Sequence, residues 1–483
     1  MIDSFDILIH GGELIDGTGA PRRRADIGIR GGTVVAVGEL QGQTAQRRIN
    51  AQGLIVAPGF IDSHTHDDLL LLEHPAAHPK LLQGVTTVVT GNCGVSLAPM
   101  APDAPPSLLS ASVDKPAAPL RRHATMAAYM ADLRAAQPAV NAAVLVGHTT
   151  LRQHAMDDLE RAATATEIAA MQAALQEALD AGAIGLSTGV YYPQARAATT
   201  QELIDVAEPL RDGAGLITMH IRDEAEAIDE ALREALAVGR AVNAPLVLSH
   251  HKLIGSANHG GSVRTLALVE QAAQSQSVCM DCYPYVASST MLLPARVAVS
   301  SDVRITWSSV EPEAAGRSLL TMAAERGMDP TALAHQLVPG GAIYFAMSDE
   351  DVDRILAHPM VMIGSDGLPH DPVPHPRLWG TFPRVLGHYV RQRRLLALET
   401  AIHKMTGLTA RRFGLAARGE IRVGAAADVT LFDAEQVLDG ATFDSPVTAP
   451  IGIRWVLVNG RVAVEDGRQA DDRAGQVLRR TRV

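Results

Sequence analysis

The chain has 483 residues, 47% of them hydrophobic and 20% charged, with a mean hydropathy of +0.07, enough for one large domain and a smaller companion. Its formal net charge of −11, without long like-charge runs, disfavours nucleic acid and acidic membrane surfaces as partners and leaves a small molecule as the expected one. Three cysteines cannot staple a chain of this length, and neither a leader pattern nor an apolar run of about 18 residues is seen, so a soluble cytoplasmic protein is expected.

Residues 5–56 read as short strands broken by turns: Asp6-Ile7-Leu8-Ile9, Asp26-Ile27-Gly28-Ile29 and Thr33-Val34-Val35-Ala36-Val37 each run into glycine. From Ile55 onward short apolar runs end in polar residues and give way to Ala-, Leu- and Glu-rich helical stretches such as 165–181 and 224–242. The run 85–90 leads to Cys93, 142–146 to His148, and 184–186 to Ser187 and Thr188. Further on, 216–219 leads to His220, 246–249 to His250, 278–281 to Tyr283, and 361–364 to Ser365 and Asp366. Strand–helix alternation over about 350 residues predicts a parallel α/β fold. Polar residues at strand C-terminal ends suit a barrel, which builds its active site there. Residues 99–120, rich in Pro, Ala and Ser, read as a long loop, and 286–347 reads as an insertion near the barrel mouth. After Leu415 strand texture returns at Gly419-Glu420-Ile421, 427–433 and 453–458, so the two chain ends are expected to pair into one β domain.

Within Asp62-Ser63-His64-Thr65-His66, residues i and i+2 of a strand face one way, so His64 and His66 form a candidate metal pair. Cys93, His220, His250 and Asp366 each follow a different apolar run, and barrel geometry brings such positions into one pocket. A lone buried cysteine or histidine is usually a core residue. A thiolate with several imidazoles at successive strand ends instead fits zinc. Asp366 could serve as a helix N-cap, but its place in Gly364-Ser365-Asp366-Gly367 points to catalysis. His148, also just after a strand, is a candidate for lining the pocket. Cys279 and Cys282, in Cys279-Met280-Asp281-Cys282, read as a buried strand without a second pair to complete a metal or redox motif.

The segments DSHTHDD, GVTTVVTGNCGVS, GLSTGVYYP, HIRDE, LSHHK, DCYPY, IGSDG and GEIRVGAAADVTLFD together resemble the D-aminoacylases, the N-acyl-D-amino-acid deacylases of the amidohydrolase superfamily. The resemblance implies a (β/α)8 TIM-type metallo-barrel over 59–414 with an inserted lid at about 286–347. It adds a β-sandwich made from 1–58 and 415–483. It implies one tight zinc on Cys93, His220 and His250, and a weaker second position on His64 and His66 with Asp366 adjacent. Lys252, Tyr283 and Arg377 are then expected to anchor the substrate carboxylate, with Tyr192 and Ser289 as further polar contacts. Tyr344, Met347 and Ala298 resemble an apolar pocket for D-methionine or D-leucine side chains. Arg296 instead could pair with a D-glutamate carboxylate, which leaves an acidic-substrate deacylase as the alternative. An amidohydrolase cutting a cyclic amide or a dipeptide is a further alternative, and a monomer is the default oligomeric state.

Overall fold

A computed structural model describes residues 4–100 and 123–481. Most of the 99–120 segment lies outside those residues. Eight parallel strands form the central sheet: Phe60–Asp62, Val85–Thr90, Asn141–Gly147, Gly185–Gly189, Leu216–His220, Leu246–Leu248, Val278–Cys282 and Val361–Ile363. Each neighbours the next in chain order. The first and last strands meet where the Ser63 amide and hydroxyl both donate to the Ile363 carbonyl, at 3.3 and 3.0 Å. A parallel bridge between Thr65 and Gly367 extends this seam, so the sheet is a nearly closed barrel. Its apolar runs are buried on both faces, as parallel strands under helices must be. Ile61, Val89, Leu145, Leu216, Val247, Cys279 and Met362 share one buried cluster. Cys279 therefore belongs to the packing of the barrel.

The helix Ala165–Ala181 falls where its composition predicts. A reciprocal capping box between Thr164 and Glu167 starts it, and Gly182, at φ 119°, ends it. The stretch expected from residue 224 becomes helical only at Ile228. The Asp223 carboxylate accepts the amides of Ala225 and Ala227 at 2.7 and 3.1 Å, which holds residues 223–227 in a turn. That turn leaves Glu224 beside the barrel mouth.

The chain ends meet in one sheet. A seven-stranded sheet contains Glu13–Leu14, Arg23–Arg24 and Ile55–Pro58 from one end and Val429–Phe432, Ile453–Val458, Arg461–Glu465 and Arg468–Gln469 from the other. A four-stranded sheet of Thr33–Gly38, Asp26–Arg30, Phe5–His10 and Ala45–Asn50 shares a core with it through Ile7, Ile27, Ile29, Val56, Val429 and Leu457. The strand expected at 419–421 does not form. Gly419 and Gly424 adopt φ of 74° and 86°, and Ile421 is held by one amide bond to Asp16.

The insertion has a core of its own. Ala287–Met291, Gly340–Phe345 and Asp302–Ser308 form a three-stranded antiparallel sheet packed on Leu319–Arg326 and Pro330–Leu337. No helix among the described residues is long and apolar enough to cross a membrane.

Candidate metal and active site

At the C-terminal end of the barrel the Cys93 sulfur lies 3.2 Å from His64 Nε2, 3.5 Å from His220 Nδ1 and 3.3 Å from His250 Nε2. Sulfur and nitrogen donors on one tetrahedral zinc ion stand about 3.5 Å apart, given bonds of about 2.3 and 2.0 Å. The spacing therefore fits zinc, and so does the donor set of thiolate and imidazole. His64, Cys93, His250 and Asp366 group their ligand atoms within 4.8 Å of one another, as do His220, Glu224 and His250. Burial opposes a charged sulfur, yet the imidazoles of His64, His250 and His220 outweigh it and hold the Cys93 thiol well below its usual range. Cys279 and Cys282, without such neighbours, are pushed up to about 12 by burial.

Three of these residues sit on unusual backbone. Cys93, His250 and Asp366 have φ of 52°, 35° and 50°, a region that side chains other than glycine's seldom occupy. Each comes two or three residues past a barrel strand. The left-handed turn swings the side chain back over the mouth. Such strain persists where the surrounding structure over-determines it, as at sites that must aim a group.

The remaining imidazole nitrogens meet carboxylates that orient the rings. His64 Nδ1 is 3.5 Å from Asp281, His220 Nε2 is 3.5 Å from Glu224, and His250 Nδ1 is 3.4 Å from Glu224. Sequence reasoning missed both acids. Asp281 has the same i, i+2 relation to the barrel-core Cys279 that paired His64 with His66, and Glu224 stands four residues after His220.

Asp366 Oδ1 lies 3.2 Å from His66 Nε2 and 3.6 Å from His64 Nε2, while Oδ2 meets Arg377 Nη1 at 2.9 Å. Burial alone would raise its carboxyl, but the Arg377 guanidinium, with His250, His66 and His64, holds it well below the usual carboxylate range. Arg377 also donates to the Ser289 carbonyl at 3.0 Å and stacks 4.6 Å from the Tyr283 ring centre. Tyr283 Oη and Ser289 Oγ are buried without a hydrogen-bond partner. Lys252 Nζ lies 2.5 Å from Glu224 Oε1 and 5.7 Å from the Tyr283 ring centre. Arg296 donates to Glu224 Oε2 at 2.5 Å and to the Tyr191 hydroxyl at 2.7 Å. Tyr192 bonds Thr290 at 3.2 Å and packs its ring 4.9 Å from that of His220.

Other candidates differ in how near they come, and the Tyr344 ring lies 5.6 Å from the Arg296 guanidinium. His148 is 3.3 Å from Glu202, which also holds Arg152, in a buried ion cluster between helices, so it is not brought to the pocket. Ala298 is exposed at the end of the short helix Pro294–Val297. Met347 packs against the barrel core. The Tyr344 hydroxyl is used within the insertion, accepting from Leu293 N at 2.7 Å and donating to the Met291 carbonyl at 2.8 Å.

The sequence profile of the Amidohydrolase family matches residues 47–336 and 313–464. A D-aminoacylase of Alcaligenes xylosoxydans xylosoxydans is 52% identical over 477 residues, covering 99% of this chain and 98% of that protein. The crystal structure of a D-aminoacylase superposes with a TM-score of 0.96 at 53% identity, over 99% of this chain and 100% of that one. An N-acyl-D-glutamate deacylase from Bordetella bronchiseptica, solved with zinc and a phosphonate mimic of the tetrahedral intermediate, gives 0.94 at 48% identity with the same coverage. Matched over nearly its whole length, this chain belongs to the D-aminoacylase branch of the amidohydrolase family.

Proposed function

We propose that this protein is a zinc-dependent deacylase of N-acyl-D-amino acids with neutral, apolar side chains. The carrying observation is the convergence of Cys93, His64, His220 and His250 around one point, with Asp366 beside it. Cys93, His220 and His250 hold the tight ion, and His64 with His66 offers a weaker second position. A zinc ion there would lower the pKa of a bound water to about 7 and polarise the scissile carbonyl. Asp366 takes the proton of the attacking water and passes it to the departing amide nitrogen. Arg377 and Tyr283 face the substrate α-carboxylate, and the buried hydroxyls of Tyr283 and Ser289 await an acceptor. The 286–347 insertion acts as a cover, since Thr290 and the Ser289 carbonyl already touch Tyr192 and Arg377 at the mouth. The choice of the D enantiomer rests on the likeness to D-aminoacylases.

The pairing of the cations supports the neutral over the acidic reading. Lys252 and Arg296 share Glu224, and Arg377 pairs with Asp366, each contact within 2.9 Å. Glu224 occupies the Arg296 guanidinium that a D-glutamate side chain would need. A second buried, unpaired carboxylate costs several kcal/mol. The kcat/KM for N-acetyl-D-methionine should therefore exceed that for N-acetyl-D-glutamate by on the order of 10²-fold or more. Equal or reversed values, measured side by side on zinc-loaded protein, would show that Arg296 leaves Glu224 to bind an acidic side chain.

A further inference from the structure

The cationic groups Lys252, Arg296 and Arg377 form one flank of the metal cluster, and beside it opens a cavity that none of them lines. It encloses about 90 Å³, begins at His66, Cys93 and Asp366, and is walled by Val95, Met291, Trp307, Pro339 and Leu368. No Lys or Arg is among its described lining residues. A single water needs about 10–15 Å³ counted in this way, so the cavity has room for several atoms beyond an acetyl methyl. Asp371 also lines it, with its Oδ2 unpartnered, and burial pushes this carboxyl up to about 7.

The insertion contributes to both the cationic flank and the cavity. In Ala287–Met291, Ser288 lies 3.3 Å from the Arg296 guanidinium, whereas Ser289, Thr290 and Met291 line the cavity. Trp307 sits at a register shift in Asp302–Ser308, where a bulge can re-aim a side chain. Its indole lies over Gly341: a Cβ there would stand 2.3 Å from Trp307 Nε1, so no larger residue fits under the ring as placed. The placement of Trp307 is thus built into two strands of the insertion.

A trans amide sends its acyl chain and its amino-acid half in opposite directions from the scissile bond. With the α-carboxylate drawn to Arg377 and Tyr283, neither of which lines this cavity, the cavity is open to the acyl chain. We infer that the Val95–Met291–Trp307–Leu368 cavity is an acyl-chain subsite, and that the protein prefers straight or aromatic acyl groups longer than acetyl, with Trp307 setting the limit. The inference rests on the deacylase reading above.

The test is an acyl series on one amino acid, N-acetyl-, N-butyryl-, N-hexanoyl- and N-phenylacetyl-D-methionine, with zinc-loaded full-length protein. The kcat/KM should rise about fourfold per added methylene until the chain reaches Trp307, as each methylene leaves water. Trp307→Ala should move the optimum to a longer chain, and Met291→Ala should do the same if the tryptophan variant folds poorly. In both variants the ratio of N-acetyl-D-methionine to N-acetyl-D-glutamate should stay within about twofold, since that choice is made on the cationic flank. A flat profile in a protein that does hydrolyse N-acetyl-D-methionine overturns the acyl subsite and leaves the deacylase standing. A variant that changes the methionine-to-glutamate ratio but not the chain-length optimum assigns the cavity to the side chain and also overturns it. Failure to hydrolyse any member of the series overturns the deacylase reading itself.

Discussion

Asp366→Asn is expected to lower kcat/KM on N-acetyl-D-methionine by on the order of 10³-fold with bound zinc retained, because it removes the proton carrier and little else. Asparagine is the informative substitution. The residue stands at φ 50°, which Asn tolerates better than Ala or Leu, so the turn survives. The amide can still meet His66 and Arg377, the partners at 3.2 and 2.9 Å. It cannot accept a proton from water and return it. The loss should appear chiefly in kcat, since the groups facing the substrate carboxylate, Arg377 and Tyr283, remain. Steady-state kinetics with metal content and a thermal melt on the same samples check this. A variant within tenfold of wild type would assign the proton transfer to another group.

Cys93→Ser should reduce copurified zinc from about one per chain to below about a tenth, with activity falling in step. The sulfur is the common neighbour of His64, His220 and His250 at 3.2, 3.5 and 3.3 Å, so its loss opens every nitrogen pair it joins. Serine preserves size and tolerates the turn but offers a neutral hydroxyl, a poor substitute for a thiolate on zinc. Cys282→Ser is the control, since that thiol lies in the barrel strand Val278–Cys282 and burial pushes it up to about 12. It should leave zinc unchanged. Elemental analysis of the two purified variants decides it, and full zinc in the Cys93 variant would remove this residue from the metal site.

What the sequence made legible follows from strand physics. Apolar runs ending in Cys93, His220, His250 and Asp366 are visible because a parallel strand is buried on both faces and stops where its polar ligand begins. Glu224 was hidden because its role depends on the turn that Asp223 builds, which no periodicity records. The edge strand Ala45–Asn50 was hidden by its own arginines, since an edge carries charge without losing its pairing. Inside the insertion no helix exceeds eight residues and the strand Asp302–Ser308 mixes charge with apolar residues, too little pattern to read. His148 shows another limit: one-dimensional nearness to a strand end does not say which way a side chain faces. His148 opens a helix immediately after its strand and meets Glu202 in the outer layer.

Zinc dependence and D-selectivity are read together by stripping the protein of metal with a chelator, restoring zinc in steps, and following hydrolysis of N-acetyl-D-methionine and N-acetyl-L-methionine at each step. The stripped protein should be inactive and should regain D-specific hydrolysis as zinc approaches about one per chain. Full activity without metal, or equal turnover of the two enantiomers, would contradict the proposed function.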